Sequence, residues 1–212
     1  MTGMYVLAAV AAMLLPHTQR IVRSGNSPLR DIGAGFSYIR RNRTILLILV
    51  YSLGAIVLSM PYTTLMPIFT EDILQVGATG MGLLISASGA GAVIGSAVLA
   101  SMSNRRRGLL LILSGGLIGV LLAAFSFSQN WYLSLALLAM VGLGLAGRMT
   151  LSVTLLQYYV EDAYRGRVMS VYLMEFGLTS LGTFLASAIA ASFGVQWAIG
   201  GFALALALLS LL

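Results

Sequence analysis

The sequence predicts an all-α, polytopic membrane protein folded as a helical bundle. Of its 212 residues, 59% are hydrophobic and 8% are charged, which is too little charge to cover a soluble globule of this size. A bilayer span needs about 20 apolar residues, and hydropathy finds five segments of that length. The arginines alternate between loops in the way that orients such spans.

Six transmembrane helices are expected between residues 44 and 212. Five are full length and the last is shorter, with expected ranges of 44–68, 81–102, 108–128, 131–157, 168–191 and 196–212. Residues 1–16 are also apolar but stop at Pro16, so we expect a partial helix there. The chain therefore divides into a partial span (1–16), a linker (17–43) and a six-helix bundle (44–212).

The arginines predict the topology. All twelve basic residues are arginine, and all except Arg148 lie in the linker or in alternate loops. The loops at 69–80, 129–130 and 192–195 contain none. Because Arg-rich loops stay on the cytoplasmic side, we expect a multi-pass protein of the cytoplasmic membrane with a cytoplasmic C-terminus. This distribution also argues against a nucleic-acid partner, despite the net charge of +6.

The linker is the one long polar stretch. Ser27 and Pro28 suit the start of a helix, and apolar residues then recur at helical spacing, at Leu29, Ile32, Phe36 and Ile39. This pattern favours an amphipathic helix on the cytoplasmic membrane surface. Because Gly33 and Gly35 weaken a helix, a solvated linker is the alternative.

Small residues and prolines predict how the spans pack and bend. Small residues at four-residue spacing indicate close helix contact, and they are Ala87, Gly91 and Gly95; Gly115 and Gly119; and Gly182, Ala186 and Ala190. Pro61 and Pro67 each remove a backbone donor, which predicts a kink or an unwound turn. Such a break either bends the helix or lines a cavity.

Two ionisable residues, Arg148 and Glu175, lie inside predicted spans, where an unpaired charge is costly. Counting residues from the span ends puts them at depths that differ by about 3 Å. Since the two spans are consecutive and antiparallel, a direct pair is geometrically feasible. It is either an ion pair that fixes helix register or part of a water-filled pathway that binds substrate or carries a proton.

Other polar side chains in the spans are candidates for a cavity lining. They are Tyr51, Tyr62, Thr150, Thr154, Gln157 and Thr179. Interhelical hydrogen bonds are the alternative explanation. An enzyme is not expected, because the sequence contains no phosphate loop and no nucleophile with a nearby base. There are no cysteines and no metal-ligand cluster, so we expect neither a metal nor a cofactor.

The stretch "EDAYRGRVMS", residues 161–170, concentrates charge in one short cytoplasmic loop. Glu161 and Asp162 precede Arg165 by four and three residues, within salt-bridge reach, and Asp162 is placed to cap the next helix. Gly166 allows a close approach to a neighbouring helix, while Arg165 and Arg167 can bind helix-end carbonyls or lipid phosphates. The loop is therefore either a topology anchor or a gate latch.

This loop resembles a segment of the major facilitator superfamily. "QYYVEDAYRGRVMS", residues 157–170, is similar to the "Q…PDxxRGRVMS" segment between the tenth and eleventh helices of these transporters. "LRDIGAGFSYIRRNRTI", residues 29–45, resembles their central segment, and "SMSNRRRGLLL", residues 101–111, resembles their basic loop between helices eight and nine. The nearest branch contains enterobactin exporters and macrolide-efflux-type proteins.

The resemblance implies the C-terminal half of a transporter that exports small amphiphilic molecules by alternating access, usually as a proton antiporter. Its partners would be a small-molecule substrate, the lipid bilayer, and an N-terminal half or a second copy of the chain. The likeness carries over for Asp162, Arg165, Gly166 and Arg167, and more weakly for Arg105. Glu161 replaces the usual proline, Asn104 replaces the acidic residue of the basic loop, and Arg148 and Glu175 match no family pattern. The alternative is a membrane scaffold that needs a partner half for activity.

Overall fold

The computed structural model describes residues 28–102 and 106–211, with side chains from residue 33 onward. The described chain is all helical. Its elements are α1 (Pro28–Arg41), α2 (Arg43–Ser59), α3 (Pro61–Ile68), a π-helical turn (Phe69–Ile73), α4 (Gly77–Ser101), α5 (Arg107–Ser126), α6 (Trp131–Tyr159), α7 (Arg165–Phe193) and α8 (Val195–Leu209). The expected partial helix at 1–16, the first part of the linker and Arg105 lie outside the described residues.

Within residues 28–102 and 106–211, five helical segments are long and apolar enough to cross a membrane, and α8 is a shorter apolar helix. The first of the five runs from Arg43 to Ile73 and combines α2, α3 and the π-helical turn. Because consecutive helices alternate in direction, Arg43, Arg107 and Arg165 begin helices at the same end of the bundle, which we call the arginine-rich end. The predicted all-α membrane bundle is confirmed.

The prolines divide the first spanning segment as the sequence predicts. Pro61 occupies the first turn of α3, directly after the break at Met60. Pro67 lies inside α3, and the π-helical turn begins two residues later. The hydroxyl of Thr70 donates to the carbonyl oxygens of Met66 (3.0 Å) and Pro67 (2.9 Å). In a regular α-helix these carbonyl oxygens would accept hydrogen bonds from backbone N–H groups.

Glycines set the closest helix contacts. On α4, Gly91 and Gly95 lie against the backbone of α6 at Ala139 and Leu143. Gly142 of α6 lies in return against the backbone of Ser88. A Cβ atom at Gly91 or Gly142 would collide with a main-chain carbonyl oxygen, so α4 and α6 touch backbone to backbone. We call this contact the α4–α6 seam.

The remaining helices pack around this seam. Helix α5 packs on both α6 and α8, and Gly119 of α5 lies against the α8 backbone. Helix α2 packs on α7 and α8, and Gly182 of α7 lies against the carbonyl of Val57. By contrast, α6 and α7 touch each other little, although they are consecutive in the chain.

Helix α1 joins the bundle at the arginine-rich end. Ile39 of α1 is 4% exposed and belongs to a buried apolar cluster with Ile45, Leu49 and Val168. Helix α1 is therefore packed onto α2 and α7 along one face.

Candidate functional site

Arg148 is the largest fully buried side chain among the described residues. It lies on α6 and is 1% exposed. Its Nε and Nη2 atoms have no hydrogen-bond partner in the described part of the chain. Its electrostatic neighbours are Tyr51 of α2 and Tyr172 and Glu175 of α7. A buried guanidinium without full pairing is costly in an apolar interior, which marks this position as a candidate site.

Glu175 is buried on the facing side of α7 and is 4% exposed. The hydroxyl of Ser52, on α2, interacts with the Glu175 carboxylate and with the Tyr172 hydroxyl. The second carboxylate oxygen, Oε2, has no hydrogen-bond partner among the described residues. Glu175 therefore keeps one free acceptor inside the protein.

The sequence prediction that these two residues share a depth agrees with their position as electrostatic neighbours. No ion pair within 4.0 Å joins them, however, whereas Asp162 and Arg165 in the loop after α6 do form one. The hydroxyl of Ser152, one turn beyond Arg148 on α6, is also buried without a partner. Three buried side chains on α6 and α7, two helices with few mutual contacts, thus have polar atoms without partners in the described part of the chain.

The buried polar side chains of Arg148, Ser152 and Glu175 form what we call the polar layer. Tyr51 extends this layer across the bundle. Its hydroxyl lies 3.0 Å from Ser210 Oγ and donates to the carbonyl oxygens of Leu111 (3.4 Å) or Ile112 (3.3 Å). A Cβ atom at Gly115 would occupy the position of this hydroxyl, so the glycine makes room for it. Tyr51 therefore links α2, α5 and the end of α8 beside Arg148.

A cavity of about 640 Å³ opens beside Glu175, between α1, α2 and α7. Apart from Glu175, Arg40 and Ser37, its lining is apolar. The other lining residues are Phe36, Ile39, Leu46, Leu49, Val50, Leu53, Val171, Met174 and Leu178. A mainly apolar cavity of this size with a few polar groups is the usual form of a small-molecule site.

The predicted cavity-lining residues have different locations. Tyr62 lines a second cavity of about 280 Å³ between α3, α4 and α6, where its hydroxyl interacts with Ser88. The hydroxyls of Thr154 and Thr179 donate to carbonyl oxygens of their own helices, those of Thr150 and Phe176. Tyr51, Thr150, Thr154, Gln157 and Thr179 line neither of these two cavities.

The charged loop forms the predicted salt bridge but not the predicted cap. Arg165 Nη2 lies 2.6 Å from Asp162 Oδ1 and 3.4 Å from the carbonyl oxygen of Gln157. The expectation that Asp162 caps the next helix is wrong, because α7 begins at Arg165 with Tyr164 as its N-cap residue. Asp162 is two residues too early in the chain for that role. A close approach at Gly166 is also wrong, because a Cβ atom there would meet open space.

The same loop binds helix α1 through contacts that the sequence did not predict. The rings of Tyr38 and Tyr164 are stacked, with centroids 4.1 Å apart and planes 5° from parallel. The Glu161 backbone N–H donates to the Tyr38 hydroxyl at 3.2 Å, and the Arg167 guanidinium lies 5.5 Å from the Tyr164 ring centroid. We call this group the tyrosine clasp. Its signal in the sequence is weak, because both tyrosines are near the membrane surface, where tyrosine is common.

Comparison with known protein families agrees with the fold and with the sequence resemblance. The family model for the Major Facilitator Superfamily matches the chain twice, over residues 1–174 and 51–212. A comparison with curated proteins gave no match. A comparison with solved structures gave no match either. With five helices of membrane-spanning length in its described part and a family match along its whole length, the chain belongs to the major facilitator superfamily of transmembrane transporters.

Proposed function

We propose that this chain exports a small amphiphilic molecule, such as a drug or a siderophore, by alternating access coupled to protons. The observation that carries the proposal is Glu175, a buried carboxylate with a free oxygen that lines a cavity of about 640 Å³. An ionisable side chain inside a membrane bundle is expensive, and such residues usually mark substrate or proton pathways. The resemblance to enterobactin exporters and macrolide-efflux-type proteins supports an amphiphilic substrate.

The polar layer contains ionisable side chains that can couple substrate transport to proton movement. Glu175 can accept a proton or a hydrogen bond from the substrate, and Arg148 is a cationic neighbour of its carboxylate. Since Glu175 Oε2 and the Arg148 Nε and Nη2 atoms have no hydrogen-bond partner among the described residues, approach of α6 to α7 would bring them together. Occupation of Glu175 by a proton or a ligand would then favour one arrangement of these two helices, which is the requirement for coupled transport.

The loop between α6 and α7 serves as a latch in this proposal. Its Asp162–Arg165 pair is exposed, with side-chain exposures of 88% and 48%, so it can open at little cost. We further propose that the arginine-rich end faces the cytoplasm and that the chain works with an N-terminal half or with a second copy. The positive-inside rule supports that orientation.

The test is transport of a fluorescent amphiphile in proteoliposomes carrying a proton gradient. Glu175→Gln is expected to lower the rate at least about tenfold, because the amide cannot exchange a proton at Glu175. Glu71→Gln is the matched control, since Glu71 is exposed in the π-helical turn.

If both variants transport as fast as the unmodified protein, the role of Glu175 is disproved. If the unmodified protein transports nothing, either alone or with an added N-terminal half, the proposed export function fails and the scaffold alternative gains support.

A further inference from the structure

We propose that helix α1 is a wall of the ligand-binding site and that its Phe36 side chain contacts the bound amphiphile. The proposal rests on the proposed function in one respect, which is that the cavity beside Glu175 receives the transported molecule. It adds a binding role for a helix that the sequence alone places on the membrane surface. The ligand would have an apolar body and a hydrogen-bond donor directed at Glu175.

Helix α1 closes the cavity at the arginine-rich end. It contributes Phe36, Ser37, Ile39 and Arg40 to the lining, whereas α2 and α7 supply the rest. Phe36 is 54% exposed although it is large and apolar, and it lies on the cavity rather than in the core. When an apolar ligand covers an exposed aromatic ring on a cavity wall, the burial of the ring's surface favours binding.

Several contacts hold α1 in this position. The tyrosine clasp joins Tyr38 to the loop after α6, and Ile39 is buried in the adjoining apolar cluster. Gly35 lies against Arg167, where an added Cβ atom would be 3.1 Å from the Arg167 Cβ. Because the helix is fixed on both sides of Phe36, the ring has a defined place in the wall.

The cavity also indicates what kind of molecule it binds. Its walls are mainly aliphatic, so they select an apolar body by shape and area. Glu175 is the buried polar group of the lining. Its Oε2 has no partner among the described residues and is enclosed by protein atoms, so the side chain would turn toward the cavity to accept a hydrogen bond from an N–H or O–H group of the ligand. A ligand without a donor would leave this oxygen unpaired, which weakens binding.

The test measures binding of ethidium, an aromatic amphiphile with amine donors, to the purified full chain in lipid nanodiscs. Phe36→Ala is expected to weaken binding about tenfold, because the ring's buried contact with the ligand is lost. Phe184→Ala is the matched control, since Phe184 is 72% exposed on α7 and does not line this cavity. Equal binding by the two variants would overturn the proposal.

Glu175→Gln separates this proposal from the one on which it rests. If Glu175→Gln weakens ethidium binding and Phe36→Ala does not, α1 is not a wall of the site, while the proposed function stands. If neither weakens it, the cavity does not bind the amphiphile and both proposals fail. Native mass spectrometry identifies the occupant, and loss of a retained lipid instead of ethidium in Phe36→Ala would make the cavity a lipid site and disprove the proposal.

A disulfide provides a second test that does not alter the wall. The chain has no cysteine, and a Gly35→Cys, Arg167→Cys pair would place the two Cβ atoms near the 3.5–4.5 Å separation of a disulfide. Oxidation would fix α1 in the position described here. Ethidium affinity is expected to stay within about twofold of the reduced form of the same variant. Loss of binding on oxidation would show that the ligand requires α1 elsewhere, which contradicts the proposal.

Discussion

Helix α6 contacts two of its neighbours, α4 and α7, in opposite ways. Against α4 it packs backbone to backbone through Gly91 and Gly142. Toward α7, the next helix in the chain, it makes few contacts and presents Arg148, whose Nε and Nη2 atoms lack hydrogen-bond partners among the described residues. The α4–α6 contact leaves no space for the two helices to come closer without a steric collision. The α6–α7 contact, by contrast, contains buried polar atoms without hydrogen-bond partners among the described residues. We therefore predict that α4 and α6 move as one body and that α7 changes position relative to them.

The largest expected effect comes from breaking the α4–α6 seam. Gly91→Val would drive a side chain into the carbonyl group of Ala139, and the resulting separation of the helices should cost about 3 kcal/mol. Gly89→Val on the same helix is the control, because a Cβ atom there meets open space. Unfolding in mixed detergent, followed by tryptophan fluorescence, measures both. Equal stability of the two variants would show that the seam is not tightly packed.

The second effect concerns the other face of α6. Arg148→Met removes the cation and leaves the buried Glu175 carboxylate without its electrostatic partner, so we expect a loss of about 3 kcal/mol. Adding Glu175→Gln should restore part of this loss, with a coupling energy of about 1 kcal/mol in a double-mutant cycle. The same unfolding assay supplies all four values. Strictly additive effects would mean that the two side chains act independently.

The sequence predicted the helices well for a physical reason. Each span must bury its own backbone polar groups in an apolar medium, so length and hydropathy are sufficient to locate it. The proline break was also local information, because Pro61 and Pro67 cannot donate backbone hydrogen bonds.

The candidate site was predicted only in part. Residue counting gives the depth of Arg148 and Glu175 but not the rotation of α6 and α7, and rotation decides whether two side chains meet at ion-pair distance. The tyrosine clasp joins Tyr38 to Tyr164 across most of the chain, which no local pattern encodes. The sequence did not predict that α1 lines the cavity, because this too depends on contacts between distant parts of the chain.

A smaller loss of stability is expected from a substitution at Gly115, which lies against the Tyr51 hydroxyl. Gly115→Ala would displace the Tyr51 hydroxyl and remove its contacts with Ser210 and the α5 carbonyls, at a cost of about 2 kcal/mol. Gly116→Ala is the adjacent control, because its nearest neighbour would be at an ordinary 3.4 Å. Thermal unfolding of the two variants tests this. A more stable Gly115→Ala protein would show that Tyr51 can turn aside without loss.

The smallest effect is expected at the loop between α6 and α7, whose charges are exposed. Asp162→Asn removes the salt bridge to Arg165, but the solvated side chains lose little, so the free energy of unfolding should change by less than about 1 kcal/mol. We expect the substitution to change the transport rate more than the free energy of unfolding. In the latch proposal the salt bridge forms in one conformation and opens in the other, so its loss shifts the balance between them. The informative quantity is therefore the transport rate of Asp162→Asn beside that of Glu161→Gln, a neighbouring acid for which the structure shows a backbone contact to Tyr38. If both variants transport at the unmodified rate, the loop orients the chain in the membrane and does not control the movement of α7.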